Sequence, residues 1–210
     1  PQTSGMIING PDVKVYVRTD DGQTKVGYAN FISAGYFRIE SGLLDARAGS
    51  GISFRGTAIM EINGGTVRCS QFRPEQSVSN GIVTYIQTGG TFIVDGQGGV
   101  DATMPAFYMP FAANTFIMTG GTIDVRNSGR SGNNGKSTSN GGAFVVGCDP
   151  RVSSITGGEI IVNTGRASSG NEKCRDDYLI SCAIPLWNLT LRNDSLYYGT
   201  SNTQWAYGGA

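Results

Sequence analysis

Apolar and polar residues alternate in short segments on either side of a recurring Gly-Gly pair, which is Ser-Gly in the first copy. Apolar residues stand five and three positions before the second glycine, and two and four positions after it, with few exceptions. The second glycines are Gly42, Gly65, Gly90, Gly121 and Gly158. Alternation with a period of two is typical of a strand with one buried face. Each copy therefore predicts two short strands joined at the glycines.

The alternation changes parity across the glycines. A straight strand would place the flanking apolar positions on opposite faces, so the chain must turn a corner if both are to point inward. Glycine permits the unusual backbone angles that such a corner needs. Gln87 and Ser153 are polar departures at positions that the pattern predicts to be inward.

One copy cannot bury its apolar face alone, whereas stacked copies share a continuous core. The residues between copies leave room for a third strand, with candidates at 107–111, 143–148 and 179–184. The hexapeptide repeats that are typical of left-handed β-helices are absent. We therefore predict an all-β fold, a right-handed parallel β-helix (a solenoid) of about five to seven rungs with inserted loops.

The chain divides into three predicted segments. Residues 31–192 would form the β-helix. Residues 1–30 are interpreted either as a degenerate first rung or as an N-terminal cap, with a hairpin joining 13–18 to 24–28. Residues 193–210 are interpreted as a C-terminal cap or as the junction to a next module.

The composition fits short strands and many turns. Glycine accounts for 32 of the 210 residues, and charged residues make up only 15%. Segments 127–140 and 167–177 consist mainly of turn-forming residues and predict inserted loops, and 71–80 predicts a shorter loop. The net charge of +0 gives no electrostatic reason to expect nucleic acid as a partner. No apolar run reaches the about 18 residues of a membrane span.

Histidine is absent from the sequence. This removes the commonest general base, the nucleophile pairs that depend on histidine, and the commonest metal ligand. Apart from the Asp95 and Asp124 group considered below, no Asp and Glu cluster predicts a metal site, and no cofactor is predicted.

The unit apolar-x-apolar-Asn/Thr-Gly-Gly-Thr-apolar-x-apolar resembles rungs of large repetitive bacterial surface proteins, including adhesin-like proteins of the Bacteroidota. The segment 187–191 also resembles a sequence that is frequent in those proteins, and the resemblance covers about residues 31–192. It implies an extracellular or cell-surface protein with structural or adhesive roles. Its partners would be other modules or subunits of a surface assembly, and glycans are a further candidate. Many unrelated β-helices share such rungs, so the fold is better specified than the function.

Parallel β-helices also carry polysaccharide lyases and hydrolases, so outward positions after the glycines are candidates for catalysis. Stacking would align them in rows, with successive residues of a row about 4.8 Å apart. In an enzyme, Asp95 and Asp124 would act as paired carboxylates or hold Ca²⁺. Arg68 and Arg126 would lie beside them. The alternative, which we favour, is a solvated face with offsetting charges. The two rows are Asp45, Arg68, Ile93, Asp124, Ile161 and Arg47, Ser70, Asp95, Arg126, Asn163.

Aromatic residues near the C-terminus define a third hypothesis, a non-catalytic glycan-binding module. Trp187, Tyr197, Tyr198 and Trp205 could stack on sugar rings. The alternative is that they cover the open end of the core, because solenoid ends need a cap.

Covalent modification is predicted at a few positions. Cys148 and Cys182 occupy similar places in successive candidate strands and could form a disulfide between rungs. Asn188 and Asn193 begin N-glycosylation sequons. The sequence around Ser195 resembles a short O-glycosylation signal of the Bacteroidota.

Overall fold

Every regular element of the described chain is a β-strand. The computed structural model describes residues 5–17, 30–32, 35–47, 51–54, 56–74, 82–94, 107–109, 111, 113–126, 144–163, 180–182 and 190–192. Within these ranges no helix is present. The described part of the chain is therefore all-β, as predicted.

The strands form three parallel sheets, which the chain visits in rotation. Sheet A contains β1 (Gly5–Ile8), β4 (Gly35–Ile39), β7 (Ala58–Ile62), β10 (Val83–Gln87), β13 (Thr115–Met118) and β16 (Ser154–Ile155). Sheet B contains β2 (Lys14–Tyr16), β5 (Leu43–Ala46), β8 (Thr66–Cys69), β11 (Thr91–Val94), β14 (Thr122–Arg126), β17 (Glu159–Asn163) and β19 (Thr190–Arg192). Sheet C contains β3 (Asn30–Ile32), β6 (Gly51–Phe54), β9 (Phe72–Pro74), β12 (Phe107–Met109), β15 (Phe144–Val146) and β18 (Ile180–Cys182).

Three consecutive strands, one from each sheet, are called a rung below. The described strands make six rungs, and β19 pairs with β17 beyond the sixth. The candidate third strands near 107, 143 and 179 are β12, β15 and β18, so this prediction is confirmed. The predicted loop at 71–80 was wrong in part, because β9 occupies its beginning and pairs with β6 and β12.

The inward faces of all three sheets meet in one hydrophobic core. In sheet C the rings of Phe72 and Phe107 lie 4.7 Å apart, and those of Phe107 and Phe144 lie 4.8 Å apart. In sheet A the rings of Tyr85 and Phe116 stack at 4.8 Å with an interplanar angle of 8°. The two aromatic columns meet edge to face, which is a favourable arrangement for aromatic rings.

The polar departures from the inward pattern do point inward, and both are hydrogen-bonded. Gln87 is fully buried. Its Oε1 accepts a hydrogen bond from the Tyr85 hydroxyl at 2.6 Å, and its Nε2 donates to the carbonyl of Thr122 at 3.1 Å. Ser153 Oγ accepts from the backbone N–H of Phe116 at 3.1 Å. Burial of these side chains is therefore compensated.

Sheets A and B meet at the Gly-Gly pairs, a junction called the A–B corner below. The second glycine of the fourth rung, Gly90, has φ +65°, and a Cβ there would lie 2.5 Å from the carbonyl oxygen of Gly64. The first glycine of the corner below, Gly64, has no positive φ, but a Cβ would collide with the carbonyl of Glu40. The predicted need for unusual angles thus applies to the second glycine. The first is required by the close approach of the rung below.

The first rung extends sheets A and B at their N-terminal edge. β1 pairs with β4, and β2 pairs with β5, both in parallel. This is the arrangement that a degenerate first rung would have. The second half of the alternative hairpin, residues 24–28, lies outside the described residues, as does the segment 193–210.

Candidate functional site

The outer face of sheet B carries the row of side chains that the sequence predicted. Strand register aligns residues three positions after each second glycine. Tyr16 extends this row below and Arg192 above. In order the row is Tyr16, Asp45, Arg68, Ile93, Asp124, Ile161 and Arg192.

Of the four proposed catalytic residues, the structure describes the side chains of Arg68 and Asp124. The strand that carries Ile93 separates Arg68 from Asp124, so their backbones are about 9–10 Å apart. Asp124 is only 8% exposed. Arg126 lies opposite Asn163, and its side chain is not among those described. Asp95 also lies outside the described residues.

Asp45, the neighbour of Arg68 in the row, is held by Arg47. Arg47 Nη2 lies 2.6 Å from Asp45 Oδ2, and Nε lies 2.8 Å from Oδ1. The backbone N–H of Arg47 also donates to Oδ1 at 3.2 Å. These hydrogen bonds lower the pKa of Asp45, against the opposing effect of burial, and the charges of Arg47 and Arg68 add to the lowering. Asp45 is therefore an ionised partner of arginine and is poorly suited to donate a proton.

The same Asp-x-Arg clamp recurs at the end of the fifth rung. Arg151 Nη2 lies 2.7 Å from Asp149 Oδ2, and the backbone N–H of Arg151 donates to Oδ1 at 2.9 Å. Side-chain hydrogen bonds from Arg151 lower the pKa of Asp149 to about 2. The sequence repeats this spacing at Asp124 and Arg126.

The outer face of sheet A holds a polar group that sequence analysis missed. The Tyr36 hydroxyl donates to Glu61 Oε2 at 2.6 Å. Arg38 lies opposite Glu61 in register, and its Nε is 2.9 Å from Glu40 Oε1. Burial raises the pKa of Tyr36, and the hydrogen bond to Glu61 raises it further. This phenol is therefore protonated at neutral pH and unsuited to act as a base.

This group continues along the sheet A side of the A–B corner. Asn63 Nδ2 donates to Glu40 Oε1 at 3.3 Å, and Thr88 Oγ1 donates to Asn63 Oδ1 at 2.8 Å. The parity rule would have located these residues had it been applied to outward positions before the glycines. The result is a network of hydrogen-bonded polar side chains across three rungs. Both of its carboxylates, Glu40 and Glu61, already have polar partners within the network.

The fourth rung presents a different outer surface. Its outward residues are uncharged and half-buried or exposed: Thr84, Ile86, Thr88, Thr91 and Ile93. The fifth rung repeats this pattern except for Asp124, and Arg126 stands at the end of its strand β14. Charge on the described outer faces of sheets A and B is therefore concentrated in the second and third rungs.

The cysteine prediction is not decided by the described atoms. Cys148 is buried, and its Sγ lies 3.6 Å from the Met109 carbonyl oxygen. Cys182 is in register with Val146, two residues before Cys148, and its side chain is not described. A disulfide between Cys148 and Cys182 stays a prediction. Cys69 is a free thiol in the core, and burial raises its pKa.

The remaining candidates lie outside the described side chains. They are the aromatic residues Trp187, Tyr197, Tyr198 and Trp205, and the modification candidates Asn188, Asn193 and Ser195. Within the described ranges, no group of three or more His, Cys, Asp or Glu side chains is arranged so that it could hold a metal ion. No helix in those ranges is long and apolar enough to cross a membrane. No protein-family model, curated protein or solved structure matches the chain.

Proposed function

We propose that the chain is a structural or adhesive module of an extracellular surface or filament protein, built as a right-handed parallel β-helix. The observation that carries this proposal is the parallel pairing of each sheet from rung to rung around one shared core. Such stacking produces a rod whose length grows by about 4.8 Å with each rung. A rod suits a protein that spaces contacts at a distance from a surface.

Hydrogen bonds along the rod axis support this role. They continue through the A–B corner, where the backbone N–H of Thr91 donates to the Gly65 carbonyl at 2.9 Å and that of Thr122 donates to Gly90 at 2.9 Å. Side chains contact those of adjacent rungs, so the unit is stiff along its axis and can be lengthened without a new core.

The longest segments between strands all connect sheet B with sheet C, in the first, fourth, fifth and sixth rungs. They are residues 17–29, 95–106, 127–143 and 164–179. Connecting segments carry contacts more often than the scaffold does. We infer that this side of the rod contacts other modules or subunits of the surface assembly. The resemblance to adhesin-like proteins of the Bacteroidota points the same way.

Surface display tests the proposal directly. Antibodies against the purified chain should label intact cells that produce it, and protease added to those cells should remove the label. Cryo-electron microscopy of the shed surface material should show the rod joined to neighbouring modules. Labelling that appears only after the cells are lysed would contradict the proposal.

The polysaccharide lyase or hydrolase alternative has less support. Two of its candidate residues, Arg68 and Asp124, lie on strands that are separated by the strand of Ile93. Its test is a panel of neutral and acidic polysaccharides, with reducing ends and unsaturated products as readouts. We expect no turnover. Turnover that is lost in both Asp124→Ala and Asp95→Ala would establish the enzyme and displace the structural proposal.

A further inference from the structure

Arginines on the described outer surface have carboxylate partners, with one exception. Four arginine side chains are described, and in three of them the partner stands two residues away in the chain. The pairs are Arg38–Glu40 at 2.9 Å, Arg47–Asp45 at 2.6 Å and Arg151–Asp149 at 2.7 Å.

Arg68 is the exception. The residues two positions away from it are Thr66 and Ser70, so no carboxylate is available on its own strand. Its Nε is buried and has no hydrogen-bond acceptor. The Nε of Arg38 also lacks a well-aligned hydrogen bond, but it lies beside the Glu40 carboxylate.

The neighbouring rungs do not complete the pairing of Arg68. Asp45 lies on one side in register, but Arg47 already occupies both of its carboxylate oxygens. Ile93 lies on the other side. Among the described side chains, Arg68 therefore has no carboxylate of its own.

The surroundings of Arg68 fit an anionic group on an otherwise neutral ligand. The guanidinium presents a planar set of donors that matches a carboxylate or a sulfate. Thr66 stands two residues before Arg68 on the same strand, Thr91 is in register with Thr66 on the next rung, and both are half-buried, so two hydroxyl donors lie on the same face near the guanidinium. Ile93 offers an apolar surface to the face of a sugar ring.

We propose that Arg68, together with Thr66 and Thr91, binds the carboxylate or sulfate group of an acidic polysaccharide. This inference rests on the proposed adhesive function and specifies its ligand class. A single unpaired arginine beside an uncharged rung matches a ligand with sparse charge. Nucleic acid, with a phosphate at every nucleotide, would require a far more basic surface.

Calorimetric titration of the full chain tests the proposal with three probes. They are oligogalacturonate, the same oligosaccharide with its carboxylates methyl-esterified, and a carrageenan oligosaccharide that carries sulfate but no carboxylate. We expect binding of at least one acidic probe, weakening as salt is raised, and no binding of the ester. The acidic probe that binds identifies the anion as carboxylate, as sulfate or as either.

Variants assign the binding to the site. Arg68→Gln should weaken the binding at least tenfold, and Arg68→Lys should weaken it less, because lysine keeps the charge but loses the planar fork. Arg151→Gln is the matched control, since Arg151 is a surface arginine that has its own carboxylate. It should change the affinity less than twofold. Unfolding curves of all variants show whether the fold is retained.

Two outcomes overturn the proposal: neither acidic probe binds, or Arg68→Gln binds as tightly as the unaltered chain. Either failure would leave the surface-labelling result unaffected, so the structural role and the ligand are judged separately. The converse result is antibody label that appears only in lysed cells while polysaccharide binding still depends on Arg68. That combination would refute the surface location and retain the polysaccharide site at Arg68.

Discussion

The A–B corner and the outer face of sheet B come from adjacent residues of the same repeat, but they restrict the sequence differently. At the corner the second position is glycine in all five copies that sequence analysis identified. On the outer face, three residues later, the row changes from acidic to basic to apolar. The second position of the corner has no room for a side chain, because a Cβ there would collide with the neighbouring rung. Outward side chains such as Asp45 contact neighbours on the same strand and in the same row, and they do not pack against the backbone of the next rung's corner.

This difference separates stability from recognition within one repeat. Substitutions at the corner should act on folding, whereas substitutions in the row should act on what the surface binds. The following predictions test that separation, beginning with the largest expected effect.

Gly90→Ala should destabilise the fold most. It places a Cβ 2.5 Å from the Gly64 carbonyl oxygen and imposes a side chain on a backbone with φ +65°. Left-handed strain and overpacking together should cost about 2–5 kcal/mol of unfolding free energy. Urea denaturation followed by circular dichroism measures the change. Thr119→Ala, at an exposed position of the A–B corner one rung further along, is the control and should cost less than about 0.5 kcal/mol.

Equal effects of the alanine at Gly90 and the alanine at Thr119 would contradict the spatial constraint. The corner would then be able to move away from the rung below, and the separation between corner and row would fail.

Much of this architecture could be predicted from the sequence, because alternation and parity are local. They located the strands of sheets A and B, the inward side chains of Gln87 and Ser153, and the row that contains Arg68. The spatial role of the first glycine, as at Gly64, could not be predicted, because it depends on how closely one rung approaches the next.

The polar network of sheet A was missed for a different reason. Outward positions were aligned only on the strand after the glycines, so Arg38 and Glu61 were not compared. The pairing of Arg47 with Asp45, and the exclusion of Arg68 from it, depends on side-chain conformation. Sequence spacing suggests such pairs but does not decide between an arginine on the same strand and one on the next rung.

The next prediction concerns the inner side of the corner, where Gln87 is buried. Gln87→Leu leaves the Tyr85 hydroxyl without its acceptor and the Thr122 carbonyl without this donor. An unsatisfied buried group costs about 1–3 kcal/mol, so the variant should lose that much stability. Adding Tyr85→Phe removes the stranded hydroxyl and should recover part of the loss. Urea denaturation of both single variants and the double variant measures the coupling.

Strictly additive effects in this cycle would contradict the hydrogen bond between Tyr85 and Gln87. A coupling above about 0.5 kcal/mol is expected for residues in direct contact.

The smallest effect is expected on the outer face, at the Asp45–Arg47 clamp. The pKa of Asp45 is lowered in the folded chain, chiefly by hydrogen bonds from Arg47. Its stabilising contribution is therefore fully present above the pKa of an unfolded aspartate, about 3.9. It is lost as the pH falls through the lower folded value. Arg47→Gln should raise the pKa of Asp45 and cost less than about 1 kcal/mol at neutral pH.

Carboxyl carbon chemical shifts, followed by NMR from neutral pH downward, report the Asp45 titration in both forms. Arg151→Gln supplies the comparison, because Asp149 has the same clamp at a more exposed place and a pKa of about 2. Both carboxylates should titrate at higher pH once their arginine is removed, and only the Asp45 clamp should change stability measurably. If Asp45 titrates unchanged in Arg47→Gln, Arg68 would be its effective partner. The unpaired charge assigned to Arg68 would then disappear, so this titration also tests the electrostatic basis of the proposed polysaccharide site.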